Sequence, residues 1–317
     1  LDPLTGETIQ DLGFAKRSCA RLTATPDSFF CRGRIEGMTR YDRAAGRVYF
    51  NEAMRPPCND GVIGANGLLY IGPWLCDCNL QLMGTFALCS AGDFSFEQTL
   101  GPDRLERAAP ADYVVAAYPL DEADWPTYRG SNARGAATAA DVPPRLDGIW
   151  TYHPARAFRP TSATAAGDLM FLAGDDGRVR ALDAVKGSEA WTFQTAGPIV
   201  QPPTIWEGRA YVGSGDGYIY ALEAVTGRLL WRFRAAPSDR RTMIYDALCS
   251  TWPINSGILL HEGVAYAAAG VVDYDGTYVY ALDAETGDVR WHNDASGHLD
   301  TAQRKGVSAQ GNLTVAN

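Results

Sequence analysis

The chain has 317 residues, a formal net charge of -9 and a pI near 5.0. An acidic chain lacks the basic face that binding to phosphates needs, so nucleic acid is excluded as a partner. No run of 18 apolar residues occurs, and the sequence therefore predicts no transmembrane segment. Hydrophobic residues at 46%, together with 33 glycines, are typical of a packed β-rich protein with many turns.

Residues 1–92 contain two weak copies of a repeat that becomes clear later in the chain. Asp2 is followed at +4 by Gly6, and Asp42 is followed by Gly46 at +4 and by Phe50 at +8. The two acidic residues are 40 positions apart. We therefore predict an early pair of repeat units over 1–92, with cysteine-rich loops.

Six of the seven cysteines fall within the first 90 residues. This clustering predicts disulfides in an oxidising compartment or a soft-metal site such as zinc, and buried free thiols are the third alternative. No Cys-x-x-Cys-His sequence is present, so covalent attachment of haem is not expected. The candidates for disulfides or metal ligation are Cys19, Cys58, Cys76 and Cys78.

Residues 93–165 are rich in proline, which predicts an irregular connecting segment. Within it lies the sequence Asp-Trp-Pro-Thr-Tyr-Arg-Gly at 124–130. Arg129 and Arg134, close to Trp125, are candidates for binding an anionic ligand or a protein. The alternative is a strap that crosses between repeat units.

Three clear units follow over residues 166–317, which end in the start of another unit. In each unit an acidic residue is followed by Gly at +4 and Trp at +8. The first two units are 40 residues apart and the third lies 60 further on, which indicates an insertion of about 20 residues. We predict that the repeated side chains pack neighbouring units together. They are Gly187, Gly227, Gly287, Trp191, Trp231 and Trp291.

The strands of each unit can be read from its turns. An Asp-Gly pair such as Asp216-Gly217 predicts a hairpin, because its tight turn needs positive φ. Three strands are visible in each unit, and a fourth is expected in the linking stretch. Four antiparallel strands in 40 residues is the size of a propeller blade, which must stack on its neighbours to bury both faces. We predict an all-β fragment of a seven- or eight-bladed propeller.

The insertion between the second and third units is a candidate binding loop, because long loops on a rigid scaffold often carry function. Arginines beside aromatic residues suit a protein-binding hot spot or an anionic ligand. The alternative is a loop that is held to the scaffold by its own salt bridges. The candidate residues are Arg240, Arg241, Tyr245, Trp252 and Asn255.

The repeat Ala-Leu-Asp-Ala-x-Thr-Gly-x-x-x-Trp resembles the tryptophan-docking repeat of PQQ-like propellers, which include quinoprotein alcohol dehydrogenases and the assembly lipoprotein BamB. The resemblance is specific over 166–293 and weaker over 1–92. The sequence at 124–130 resembles the entry segment common in such proteins. Other stretches, including Phe233–Arg241, are similar to large exported PQQ-repeat proteins of the planctomycete type.

The resemblance implies two different functions. Quinoprotein dehydrogenases hold PQQ on the propeller axis beside a disulfide of adjacent cysteines, with Ca²⁺ ligands and a catalytic aspartate. No Cys-Cys dipeptide and no matching ligand set occurs here, so no catalytic residue is assigned. We expect a non-catalytic binding or assembly scaffold for protein or glycan. The alternatives are a PQQ- or metal-dependent oxidoreductase, and one scaffold part of a larger enzyme.

The expected location is outside the cytoplasm, in the periplasm, at the cell surface or in the medium. The cysteine cluster and the family resemblance both favour export. The first residues, Leu-Asp-Pro-Leu-Thr-Gly, lie inside a repeat motif. We therefore expect the propeller to be completed by further blades or by another chain.

Overall fold

The computed structural model describes all residues except 14, 17–19, 34–36, 52–53, 59, 73–83, 90–102, 111, 245–246, 272–275, 295–307 and 316–317. The described residues form 22 strands and no helix. No helix that could cross a membrane is therefore present among them. The chain divides into two compact units, with Leu1–Phe96 and Met243–Asp246 in unit 1 and the rest in unit 2.

Unit 1 contains two antiparallel sheets. The first has the order β1-β2-β3-β4, with β1 Thr23–Ala24, β2 Ser28–Arg32, β3 Met38–Asp42 and β4 Arg47–Asn51. The second has the order β5-β6-β7, with β5 Val62–Ala65, β6 Leu68–Ile71 and β7 Phe86–Leu88. Met38, Met54, Val62 and Ile71 form the buried core of this unit.

Unit 2 contains three blades of four consecutive antiparallel strands. Blade 1 has β9 Thr164–Ala166, β10 Leu169–Ala173, β11 Arg178–Asp183 and β12 Glu189–Gln194. Blade 2 has β13 Thr204–Trp206, β14 Arg209–Gly213, β15 Tyr218–Glu223 and β16 Leu229–Arg234. Blade 3 has β19 Leu259–His261, β20 Val264–Ala269, β21 Tyr278–Asp283 and β22 Val289–Asn293.

Three further strands lie outside this pattern. β8 Leu105–Arg107 pairs antiparallel with β16 and adds a fifth strand to blade 2. β17 Arg241–Ile244 and β18 Ala247–Ser250 form a two-stranded sheet within the insertion. Apart from β8, the described residues between 103 and 163 form no strand, so the segment before blade 1 is irregular.

The same local sequence builds each blade. Gly177, Gly217 and Gly276 have φ of 72°, 86° and 82°, the left-handed region that these turns require. A register shift then occurs at the same place in the third strand of every blade, after Ala181, Ala221 and Ala281. These bulges bring each alanine opposite the repeat tryptophan.

The first strand of each blade forms the inner edge of unit 2. β9 contacts β13, and β13 contacts β19. Thr164 Oγ1 donates to the Pro203 carbonyl at 2.9 Å, and Thr204 Oγ1 donates to the Ile258 carbonyl at 2.8 Å. The blades therefore converge at their first strands, and the prediction of an all-β propeller of four-stranded blades is confirmed.

Buried apolar side chains fill the space between consecutive blades. One cluster joins Phe171 and Val179 of blade 1 to Leu222 of blade 2. A second cluster joins Phe233 of blade 2 to Leu282 of blade 3. Each blade buries its faces against its neighbours, as expected for a repeat architecture.

Candidate functional site

The repeat tryptophans bond from one blade to the next. Trp191 Nε1 of blade 1 donates to the Ala224 carbonyl of blade 2 at 2.9 Å. Trp231 Nε1 of blade 2 donates to the Ala284 carbonyl of blade 3 at 3.2 Å. A buried indole N–H needs an acceptor, and here the turn of the next blade supplies it.

The repeat glycines make room for these indoles. A Cβ atom on Gly227 would lie 2.4 Å from the Trp191 ring, and one on Gly287 would lie 2.8 Å from the Trp231 ring. Both glycines also have positive φ, at 72° and 77°. The turn can therefore accept the flat face of the indole only where no side chain is present.

Trp150 occupies the same position ahead of blade 1, and our sequence reasoning did not single it out. Its Nε1 donates to the Ala184 carbonyl at 2.9 Å, and a Cβ atom on Gly187 would lie 2.4 Å from its ring. The signal was present in the spacing, because Trp150 precedes Trp191 by 41 residues. The sequence before Trp150 lacks the strand pattern of a blade, so the repeat was not recognised at this position.

Trp291 on blade 3 differs from the other tryptophans. All three repeat tryptophans lie 6.0–6.1 Å from an aromatic ring of their own blade, which for Trp291 is Tyr266, but 48% of Trp291 is exposed. Trp231 is only 2% exposed. Within the described part of the chain, the Trp291 indole nitrogen has no hydrogen-bond acceptor.

The segment 124–135, here called the strap, lies along the inner edges of the blades. Trp125 and Ala165 of β9 exchange two backbone hydrogen bonds of 2.9 Å. Ile205 N of β13 donates to the Pro126 carbonyl at 2.7 Å. The strap thus forms backbone hydrogen bonds with the first strands, β9 and β13, of blades 1 and 2.

Further along, the strap reaches blade 3. The hydroxyl oxygens of Thr127 and Thr204 are 3.0 Å apart, and Asn132 Nδ2 donates to the Leu260 carbonyl of β19 at 2.5 Å. Val315 N donates to the Asn132 carbonyl at 3.2 Å. The strap therefore ties three inner strands and the segment 308–315 together.

The two predicted strap arginines have different surroundings. Arg134 Nη1 donates to Thr127 Oγ1 at 2.8 Å and to the Tyr128 carbonyl at 3.0 Å, and its Nε donates to the Leu313 carbonyl at 2.9 Å. Burial lowers the pKa of Arg134 from its usual value. Arg129 is exposed. Arg134 therefore holds the strap in place, and Arg129 faces solvent.

Residues 103–118 run along blade 2 and were predicted only as an irregular connection. Arg104 Nη2 donates to the Ala235 carbonyl and to the Tyr280 hydroxyl, both at 2.7 Å. Its guanidinium also lies 5.1 Å from the ring centre of Phe233 and 5.0 Å from that of Tyr280. Arg104 thus connects blade 2 with blade 3, a role that no sequence repeat indicates.

Glu223, the acidic residue of the blade 2 motif, accepts hydrogen bonds from this segment. Tyr113 donates its hydroxyl to Glu223 Oε2 at 2.9 Å, and Ala116 N donates to Oε1 at 3.1 Å. Burial opposes ionisation of the carboxyl group, but the bonds from Thr226, Ala116 and Tyr113 outweigh it and lower its pKa.

The predicted binding loop makes several contacts of its own. The Arg240 guanidinium lies 4.6 Å from the Trp252 ring centre, and its Nε donates to Thr251 Oγ1 at 3.1 Å. Arg241 pairs with Asp239 at 3.0 Å. Trp252 is fully buried in the core between blades 2 and 3.

Of the two remaining loop candidates, only Asn255 is described. The Asn255 carbonyl accepts a hydrogen bond of 3.3 Å from Gln201 Nε2. Tyr245 lies outside the described residues. Among the predicted residues, Arg240 and Trp252 lie together, and Arg241 remains exposed at the loop surface.

Of the four predicted disulfide or metal candidates, only Cys58 lies among the described residues. The structure gives Cys58 as a free thiol, whose sulfur accepts hydrogen bonds from Arg32 Nη1 at 3.2 Å and Arg55 Nη2 at 3.7 Å. The Cys58 sulfur is thus directed at two guanidinium groups, and its role in a disulfide or metal site stays a prediction. Cys19, Cys76 and Cys78 lie outside the described residues. No metal-binding group of three candidate side chains occurs in the described portion of the chain.

One known protein family matches the part of the chain that contains blades 1 and 2. Residues 147–248 match the sequence profile of the family described as "Outer membrane protein assembly factor BamB", of the PQQ_2 type. This region includes both indole contacts made by Trp150 and Trp191. This part of the chain carries PQQ-like propeller repeats.

Curated relatives match a short stretch of the chain. A quinoprotein ethanol dehydrogenase from Pseudomonas aeruginosa is 48% identical over 50 residues, which are 15% of this chain and 8% of the relative. The quinoprotein alcohol dehydrogenase PedE of Pseudomonas putida is 47% identical over 49 residues, again 15% of this chain and 8% of the relative. The matches thus span less than a tenth of either relative.

Solved structures include two distant likenesses. The quinohemoprotein alcohol dehydrogenase from Comamonas testosteroni is 22% identical with a TM-score of 0.43, over 54% of this chain and 27% of the other. BamB from Moraxella catarrhalis is 17% identical with a TM-score of 0.35, over 94% of this chain and 91% of the other.

Proposed function

We propose that this PQQ-like repeat protein is a non-catalytic, exported scaffold that binds or assembles protein partners, with a glycan as the alternative partner. The observation that carries the proposal is the bonding of the strap to the inner strands of three consecutive blades. The inner edges of unit 2 are thus used to hold the fold together.

The residues at these inner edges do not fit PQQ. PQQ is an anionic quinone, and its carboxylates require positively charged or N–H donors. Arg134, the predicted cation of this region that lies nearest the inner strands, directs its donors to Thr127, Tyr128 and Leu313. The amide of Asn132 is likewise used by Leu260. We therefore derive no reaction through this cofactor.

Two of the predicted arginines offer an exposed surface to a partner. Arg129 on the strap and Arg241 on the insertion are exposed, and arginine is enriched at the centres of protein interfaces. The match to the BamB family supports a protein partner. Export is part of the same proposal.

The second candidate function is a PQQ- or metal-dependent oxidoreductase. It is favoured by the 48% identity to a quinoprotein ethanol dehydrogenase over 50 residues. That match covers 15% of this chain and 8% of the relative, which is too little to carry the relative's activity over to this chain.

A cofactor-loading experiment separates the two functions. The purified chain is incubated with PQQ and Ca²⁺, freed of unbound quinone, and measured by absorbance and by alcohol-dependent reduction of a redox dye. We expect no retained quinone and no dye reduction. Stoichiometric PQQ with alcohol-dependent turnover would establish the oxidoreductase and overturn the scaffold.

A further inference from the structure

Blade 2 is the only blade that carries a fifth strand among the described residues. β8 pairs antiparallel with its outer strand, β16. Arg234 N donates to the Arg104 carbonyl at 2.8 Å, and Ala108 N donates to the Leu230 carbonyl at 2.9 Å. Alternate residues of β16, beginning with Leu230, therefore direct their backbone groups outward to the added strand.

β12 is the counterpart of β16 in blade 1, and no described strand pairs with its outer side. Trp191 holds the place of Trp231 in the register, so Ala190, Thr192 and Gln194 are the residues whose backbone groups face outward. All three are exposed. β12 contains no proline or lysine, the residues that commonly protect an edge from pairing. Its outer side is thus a row of backbone donors and acceptors on which another strand can form.

Two aromatic side chains of β12 are less buried than their counterparts in β16. Trp231 and Phe233 of β16 are each 2% exposed, whereas Trp191 and Phe193 of β12 are only partly buried. β8 contributes to the burial in blade 2, because Leu105 lies opposite Phe233 and packs against the same apolar cluster. An apolar residue opposite Phe193 would bury apolar surface in the same way.

The turn of the following blade sets the charge that an added strand meets. Arg107 of β8 pairs at 2.5 Å with Asp288, which follows the repeat glycine of blade 3. In blade 2 this place is held by Arg228, which is exposed and lies over the Tyr113 ring, 4.5 Å from its centre. Its charge acts on the Glu223 carboxylate without a direct ion pair among the described residues. A strand on β12 therefore meets a cation where β8 meets an anion, which favours a carboxylate on that strand.

We propose that the outer side of β12 is a docking site for an extended segment of a protein partner, which adds to blade 1 as an antiparallel fifth strand. The segment carries an apolar residue opposite Phe193 and an acidic residue opposite Trp191, where it pairs with Arg228. Backbone hydrogen bonds supply the affinity, and these two side chains supply the specificity. The proposal rests on the proposed scaffold function, because it names the surface and the kind of segment that the scaffold binds.

The probe is a fluorescein-labelled peptide of residues 103–109 that carries Glu106→Thr and Arg107→Glu, and its binding to the full chain is measured by fluorescence anisotropy. Glu106 is replaced because β12 presents the uncharged Thr192 opposite this position. We expect saturable binding with a Kd of about 0.1–1 mM, since a short strand makes few contacts. A comparison peptide that keeps Arg107 should bind about two- to fivefold more weakly, because it places a second cation beside Arg228.

Three variants of the chain locate the site. Thr192→Pro removes an outward N–H from β12 at a place where an edge strand tolerates proline, so binding should fall at least about tenfold. His292→Pro makes the same change at the matching position of β22 in blade 3, and should leave the affinity unchanged. Arg228→Asp gives blade 2 the acidic turn residue of blade 3. This variant should reverse the preference, so that the peptide with Arg107 binds more tightly.

Absence of saturable binding, equal affinity of the two proline variants, or a peptide preference that Arg228→Asp leaves unchanged would overturn the proposal. Equal affinity would place the peptide elsewhere, for example on β16 in exchange for β8. If circular dichroism shows that Thr192→Pro is unfolded, a peptide N-methylated at the position of Glu106 tests the same point. Alternate residues of β8, such as Ala108, direct their N–H to the neighbouring strand, so N-methylation should abolish binding, and unchanged binding would also overturn the proposal.

Failure here leaves the cofactor-loading result untouched. This inference and the scaffold function are therefore judged by separate measurements.

Discussion

The Trp231 indole donates to the Ala284 carbonyl at 3.2 Å and is only 2% exposed, although the two residues belong to different blades. The contact closes the turn of blade 3 against the last strand of blade 2. A side chain on the outer strand of one blade thereby fixes the position of the next, which explains why indole and glycine recur together.

Replacement of Trp231 should lower the free energy of unfolding. In Trp231→Phe the Ala284 carbonyl keeps only the Tyr211 hydroxyl as a donor and a buried gap forms, so we expect a loss of about 2 kcal/mol in the free energy of unfolding. Trp291→Phe is the matched control, because Trp291 is 48% exposed and the change should stay within about 0.5 kcal/mol. Urea unfolding curves measure both, and equal losses would contradict the docking role.

Glycine substitutions test the other half of the contact. Gly227→Ala places a Cβ atom 2.4 Å from the Trp191 ring at a φ of 72°, so strain and overlap should together cost about 2–4 kcal/mol. Gly263→Ala has the same φ of 72° with nothing within 4 Å of the new atom, and should cost about 1 kcal/mol. Thermal unfolding compares them. If the two losses were the same, steric contact with Trp191 would not be the reason for glycine.

Arg104 should stabilise the contact between blades 2 and 3. Arg104→Met removes hydrogen bonds to the Ala235 carbonyl and the Tyr280 hydroxyl, and we expect a loss of about 1.5–3 kcal/mol because the donor is charged. Arg107→Met is the control. Its ion pair with Asp288 is exposed and should contribute less than about 1 kcal/mol. If chemical denaturation showed a larger loss of stability for Arg107→Met than for Arg104→Met, this assignment would be refuted.

The Glu223 carboxyl group should contribute stability that depends on pH. Its pKa is lowered in the folded chain, so its contribution is present above the unfolded value of 4.5 and is lost as pH falls through the lower folded value. Glu223→Gln should therefore be less stable than the unmodified chain at pH 7, and the gap should close in acid. A gap that stayed constant from pH 7 to strongly acidic pH would show that the charge is not involved.

The described thiols should differ in reactivity. Burial, with a contribution from Asp216, raises the pKa of Cys249 to about 11, and burial also raises the pKa of Cys31. Because the thiolate is the nucleophile, neither should react with iodoacetamide at neutral pH in the native chain. Cys89 is exposed and serves as the reactive control. Peptide mapping by mass spectrometry measures each site, and rapid labelling of Cys249 would contradict its burial.

The blades could be predicted because their signals are local. Asp216-Gly217 specifies a turn, and the alternation that follows it specifies a strand, so strand order and the acid–glycine–tryptophan spacing could be read directly. The roles of Trp150, Arg104 and Tyr113 could not be read this way. Arg104 and Tyr113 bond to residues 176 and 110 positions away and belong to no repeat, and Trp150 has the repeat spacing without the strand pattern of a blade.

The sequence by itself determined the four-stranded blades and the residues that recur at their contacts, because turn geometry and strand alternation act over a few residues. Only the tertiary structure decided which of those contacts are filled. Trp231 is covered and Trp291 is open, although their motifs are the same, since burial depends on what the fold places next to a side chain.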